Sequence, residues 1–157
     1  MTGSTSVLTR SAEDTMARAA RLAAVLPAGT VLLLDGELGG GKTTFVRGLA
    51  RGLGLDVEPR SPTFALVREY PGLVHVDLYR LAPGDVDGLG LEDYLGGERL
   101  VAVEWSSHAP PEYWKGLPAL IGLAFEIEGE AARRITLRAD GSEPASLARE
   151  IARLLCG

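Results

Sequence analysis

The chain has 157 residues, 46% of them apolar, enough for one domain with its own core and too few for a second substrate-binding domain. Its net charge of -5 excludes broad sequence-independent affinity for nucleic acid, which depends on Lys and Arg neutralising phosphates; any RNA contact is expected to be local or carried by a partner. Residues 1–10 hold no apolar signal core and no run is long enough to span a bilayer, which points to a cytoplasmic protein with no membrane partner.

In chain order, Ser11 followed by Glu13 and Asp14 marks a helix start, and Ala12, Met16, Ala19, Ala23 and Leu26 supply an apolar stripe that stops at residues 27–29. Residues 30–35 contain the unbroken run Val31, Leu32, Leu33, Leu34, the pattern of a strand buried on both faces of a parallel sheet. A glycine-rich turn leads into a helix with Phe45, Val46, Leu49, Ala50 and Leu53 on one face, ended by Gly54. Residues 64–69 and 73–78 read as a hairpin about Pro71 and Gly72, residues 85–95 as a loop with a short helix, and residues 100–104 as a further buried strand. Residues 106–118, with three prolines, form a connection; residues 119–128 and 133–138 make a second hairpin, and a helix opened by Pro144 carries Leu147, Ile151 and Leu154. The sum is an α/β fold, a three-layer P-loop NTPase-like sandwich with a mixed, largely parallel sheet and antiparallel hairpins, in a single domain over residues 1–157. Cys156 has no disulfide partner or metal-ligating companion and reads as an incidental thiol.

Residues 36–43, GELGGGKT, match the spacing of a phosphate-binding loop, between the buried strand and the helix that this motif requires. Glycines let the backbone wrap a phosphate so that successive N–H groups and the helix N-terminus face the anion. Lys42 supplies a mobile positive charge for the β and γ phosphates, and the Thr43 hydroxyl is a hard oxygen ligand for Mg²⁺. Lys is rare here, Lys42 and Lys115 being two of sixteen cations, so its place in the motif is not compositional accident. Glu37, Leu38, Gly39, Gly40, Gly41, Lys42, Thr43 and Thr44 are the candidate nucleotide contacts. Guanine-specific P-loop proteins use an Asn-Lys-x-Asp signature; a chain without Asn has none, which favours ATP.

Such a site also needs a carboxylate at the end of a neighbouring apolar strand. Glu104 ends LVAVE and Asp77 ends VHVD, so both are candidate metal ligands and, with Lys42, candidate catalytic groups; the sequence does not divide metal from water between the two acids. His75 alternates with Val74 and Val76 and reads as packed or solvated rather than catalytic, His108 belongs to no motif, and Trp105 reads as packing. Asp85, Asp87, Glu92 and Asp93 read as a solvated face.

GELGGGKTTFVRGLARGLG, SPTFALVREY, HVDLYRL, LEDYL and VAVEW, in this order over residues 36–105, closely resemble the bacterial TsaE family, the ATPase of tRNA threonylcarbamoyladenosine biosynthesis. The resemblance implies phosphate and Mg²⁺ roles for Lys42 and Thr43. It also implies a DLYR aspartate at Asp77, a Walker B glutamate and adjacent tryptophan at Glu104 and Trp105, and a nucleotide-sensitive switch at Ser61, Pro62 and Thr63. It implies an accessory ATPase that binds TsaD and TsaB and turns them over, reaching tRNA indirectly through that pair and not itself the transferase. Arg60 and Arg80 are candidate γ-phosphate sensors or plain surface arginines. A small-molecule kinase and a non-hydrolysing nucleotide-gated binding module are the alternative readings.

Overall fold

The computed structural model describes residues 4–56, 59, 66–140, 149 and 151–153. Seven strands, β1 Ser4–Thr9, β2 Val31–Gly36, β3 Val67–Tyr70, β4 Leu73–Asp77, β5 Leu100–Glu104, β6 Leu120–Ile127 and β7 Arg133–Asp140, form one sheet in the order β1-β7-β6-β2-β5-β4-β3. The four central strands β6, β2, β5 and β4 run parallel, and antiparallel pairings flank them on both sides. The parallel centre therefore sends the ends of β2, β4 and β5 to one edge of the sheet.

Helix α1, Ala12–Ala23, starts where Ser11 caps it: the serine Oγ accepts from the Asp14 N–H at 3.0 Å, with Glu13 and Asp14 in the first turn. It ends at Ala23, short of the expected residues 27–29, because the Val25 N–H turns back to the Leu22 carbonyl at 3.1 Å and Pro27 offers no N–H to continue. Helix α2, Lys42–Gly52, crosses α1 closely at two glycines. A Cβ at Gly48 would stand 2.5 Å from the Met16 carbonyl oxygen, and one at Gly52 would stand 2.3 Å from that of Ala20.

The two helices cover one face of the sheet around Leu22, Leu32, Leu34, Phe45, Leu49 and Phe125, all essentially inaccessible to solvent. Burying each such side chain contributes roughly 1.5–3 kcal/mol. Against the other face, Val31, Val74, Val76, Val101 and Val103 pack under Val86, Leu91 and Trp114. That outer layer is built from 3-10 turns at Pro83–Leu89, Leu91–Asp93, Ser106–His108 and Pro111–Trp114, the first two where a loop with a short helix was expected and the last two in the expected connection. Asp85, Asp87, Glu92 and Asp93 are exposed on it.

Both expected hairpins are present as β3–β4 and β6–β7. β3 begins at Val67; Phe64 and Ala65 lie outside the described residues, as do Pro144, Leu147, Leu154 and Cys156. Ile151, in a short described piece of helix, is fully buried against the α1–α2 core. The strand β1 was not expected from residues 1–10; it pairs antiparallel with β7, Ser4 opposite Arg138 and Thr9 opposite Arg133. Among the described residues no helix is long and apolar enough to cross a membrane.

Candidate functional site

The site lies at the sheet edge reached by β2, β4 and β5. β2 ends on Gly36, whose φ of 149° and position forbid a side chain, since a Cβ would come within 2.3 Å of the Phe125 carbonyl oxygen. The chain then folds into a tight turn, the Gly40 N–H donating to the Glu37 carbonyl at 3.0 Å, and reaches Gly41 at φ 104° as the N-cap of α2. Strand, glycine turn and helix follow from the residues as read: an unbroken apolar run, positions that tolerate positive φ, then an apolar stripe.

Lys42 opens α2 and is nearly buried, 4% exposed. Its Nζ donates to the carbonyls of Gly36 at 2.7 Å and Glu37 at 3.0 Å, and stands 4.2 Å from the centre of the Trp105 ring. Burial lowers its proton affinity from the ordinary 10.5, while the charges of Glu104, Asp35 and Asp77 pull the other way. Thr43 Oγ1 donates toward both carboxylate oxygens of Glu104, each at 2.9 Å.

Asp77 and Glu104 are direct lateral partners at the ends of β4 and β5, so the parallel register sets two carboxylates side by side. Asp77 Oδ1 accepts from the Tyr79 N–H at 3.0 Å. Burial raises its proton affinity above the ordinary 3.8, and the neighbouring Glu104 charge adds to the rise against the Tyr79 hydrogen bond, His75 and Lys42. A cavity of about 480 Å³ takes in Gly39 to Thr44, Asp77, Tyr79, Arg80, Glu104 and Trp105, and is closed at its rim by Ala12 and Thr15 of α1 and by Glu130, Ala131 and Arg133 of the β6–β7 hairpin.

The structure thus brings together Leu38, Gly39, Gly40, Gly41, Lys42, Thr43, Thr44, Asp77 and Glu104; Glu37 joins through its carbonyl. Arg60, Ser61, Pro62 and Thr63 lie outside the described residues. Three neighbours were not anticipated, Asp35, Arg133 and His75, while Trp105 was expected beside Glu104 from the family resemblance alone. Trp105, read as packing, adopts φ 60°, the one positive-φ non-glycine among the described residues, and forms a floor beneath Lys42 with Tyr79 beside it, ring centres 4.9 Å apart. Asp35 accepts from the Ser106 hydroxyl and from the Ser107 N–H at 3.0 Å, tying the end of β2 to the turn after Trp105. Arg133 donates from Nε to the Gly39 carbonyl at 3.2 Å. His75, fully buried, meets Glu104 Oε2 through Nε2 at 2.5 Å. The acid and the aromatic carried signals in their strand-end positions; Arg133 carried none, being 94 residues from the glycine it touches.

The donor set suits a small hard cation beside phosphates. Thr43 Oγ1 and Glu104 present oxygens within hydrogen-bond range of one another, with Asp77 adjacent. Among the described residues there is no group of three or more His, Cys, Asp or Glu placed to hold a metal ion.

A mixed seven-stranded sheet between helical layers, with a glycine turn running from its central strand into a lysine-headed helix and two strand-end acids opposite, defines a P-loop NTPase-like α/β protein. The family model described as threonylcarbamoyl adenosine biosynthesis protein TsaE matches residues 9–135. The chain is 43% identical over 132 residues to the tRNA threonylcarbamoyladenosine biosynthesis protein TsaE of Nostoc sp., covering 79% of this chain and 80% of that one. It is 38% identical over 146 residues to the protein of the same name from Bacillus subtilis, covering 90% and 89%. The crystal structure of Bacillus subtilis YdiB superimposes with a TM-score of 0.77 at 32% identity, over 98% of this chain and 97% of that one. The chain belongs to the TsaE family, named for its part in tRNA threonylcarbamoyladenosine biosynthesis.

Proposed function

We propose that the chain is an accessory ATPase needed to form N6-threonylcarbamoyladenosine beside the anticodon of tRNAs that read codons beginning with A. It binds ATP with Mg²⁺ on residues 36–43, hydrolyses it slowly, and supports turnover of a TsaD–TsaB transferase without itself transferring the group. The observation that carries this reading is the convergence of Lys42, Thr43, Asp77 and Glu104 on one cavity over the glycine turn.

Each residue then has a task set by its surroundings. The backbone N–H groups of the turn and the N-terminus of α2 hold the phosphate anion. Lys42 moves from the Gly36 and Glu37 carbonyls onto phosphate oxygens, a short exchange for a flexible side chain with three donors. Thr43 and Glu104, already in contact, are the protein oxygens for Mg²⁺, which when bound neutralises charge on the phosphates. Asp77, beside Glu104 and lining the same cavity, is the carboxylate left to orient the attacking water and accept its proton. The net negative charge suits a protein that docks on a tRNA enzyme and needs no basic surface of its own.

Reconstituted multiple-turnover threonylcarbamoyl transfer with TsaB, TsaD and tRNA tests the reading. Addition of the full chain and ATP should raise the number of turnovers, and TsaB with TsaD should accelerate ATP hydrolysis by the chain. Equal hydrolysis with and without these partners would overturn the accessory role. Binding without hydrolysis in the complete mixture would select the nucleotide-gated module instead, and phosphate transfer to a metabolite would select the kinase.

A further inference from the structure

His75 lies in β4, which is paired along both edges by β3 and β5 and buried from Leu73 to Asp77, and the residue has no exposed area. Its Nε2 is 2.5 Å from Glu104 Oε2, while its Nδ1 is buried with no hydrogen-bond partner among the described residues. A carboxylate oxygen is an acceptor, so the contact is made with Nε2 as the donor to Oε2. A buried nitrogen without a partner is a stability cost that an aliphatic side chain here would avoid.

What offsets the cost is the hold on Glu104. Thr43 Oγ1 approaches both carboxylate oxygens and therefore does not distinguish them. His75 Nε2 takes Oε2 alone, which fixes the rotation of the carboxylate about its own axis and leaves Oε1 as the oxygen turned to Thr43. We infer that His75 is a positioning residue for the ATPase reaction, orienting the Glu104 carboxylate so that one oxygen is committed to the imidazole and the other is presented beside Thr43 to the cation and phosphates. The inference rests on the hydrolase reading of this site. His75 touches neither nucleotide nor metal; it acts through Glu104.

The test compares Mg²⁺-dependent ATP turnover by the full chain with that of His75→Gln, His75→Asn and His75→Leu. Gln can carry an N–H to about the Nε2 position, Asn is too short, and Leu has no donor. The Leu and Asn variants should lose about 10–100-fold in kcat and need more Mg²⁺ for half-maximal rate, the scale seen when a partner of a metal ligand is removed. KM for ATP should stay within about threefold, and Gln should recover most of the rate. Leu turning over like wild type would overturn the positioning role and leave the hydrolase intact, whereas a wild-type chain with no turnover even with TsaB, TsaD and tRNA present would overturn the hydrolase reading and this inference with it. Nitrogen NMR of the His75 ring in the wild-type chain stands independent of variant folding: a proton on Nε2 supports the assignment, and an Nε2 without one overturns it.

Discussion

Lys42 rests on two carbonyls and an indole ring, so its ammonium is already satisfied before any phosphate arrives. Replacement by Ala is expected to abolish nucleotide binding in calorimetric titration, because Lys42 is the cation held directly on the Gly36 and Glu37 carbonyls at the base of the turn. Glu104→Ala should leave ATP affinity within about threefold and lower turnover by about 100-fold or more, a split read from binding and single-turnover kinetics. Departure of Lys42 from Trp105 predicts a tryptophan fluorescence change on ATP addition that survives Trp114→Phe and disappears in Trp105→Phe. Asp77 carries a raised proton affinity, so the folded protein keeps this proton to higher pH than the unfolded chain; the associated stability is complete below 3.8 and lost as pH rises through the folded value. Asp77→Asn should therefore raise the thermal midpoint near neutral pH, with the gain shrinking as pH falls toward 3.8. Lys42 and Thr43 were legible because their spacing is fixed by the phosphate they would wrap, and the two acids because each ends an apolar run. The contact made by His75 was not, since alternation assigns a side to a residue only when one face of the strand is wet, and β4 is buried from Leu73 to Asp77.

At the scale of elements, the α1–α2 crossing depends on bare backbone at Gly48 and Gly52. Gly52→Ala would press a methyl group against the Ala20 carbonyl and is expected to destabilise the fold by about 1–3 kcal/mol, seen as a lower urea midpoint at an unchanged slope. Ser11, the apolar stripes and the doubly buried runs of β2 and β5 announced their elements in the sequence, since each pattern reflects one neighbour or one pair of covered faces. β1 did not, because STSVLT is an edge strand of weak alternation whose pairing with β7 comes from far along the chain. The 3-10 layer over Val31, Val76 and Val103 was equally hidden: its Gly and Pro content signals turns, while its packing is set by Val86, Leu91 and Trp114 finding the sheet.

Over the whole molecule, one sheet joins the first described residue to the β6–β7 hairpin, and that closure also completes the rim of the cavity. Deleting residues 1–9 would strip β7 of its outer neighbour, leave its free edge exposed, and is expected to lower stability and promote self-association, visible by size-exclusion chromatography as concentration rises. The same pairing has a consequence for the order of events during synthesis. Ser4 cannot meet Arg138, nor Thr9 meet Arg133, until more than 120 residues have followed them, so β1 emerges first and docks among the last. Arg133 reaches Gly39 from the same late strand. The glycine turn and Lys42 leave the ribosome early, and the cavity over them gains Glu130, Ala131 and Arg133 only when the β6–β7 hairpin is made, so its walls are assembled from opposite ends of synthesis.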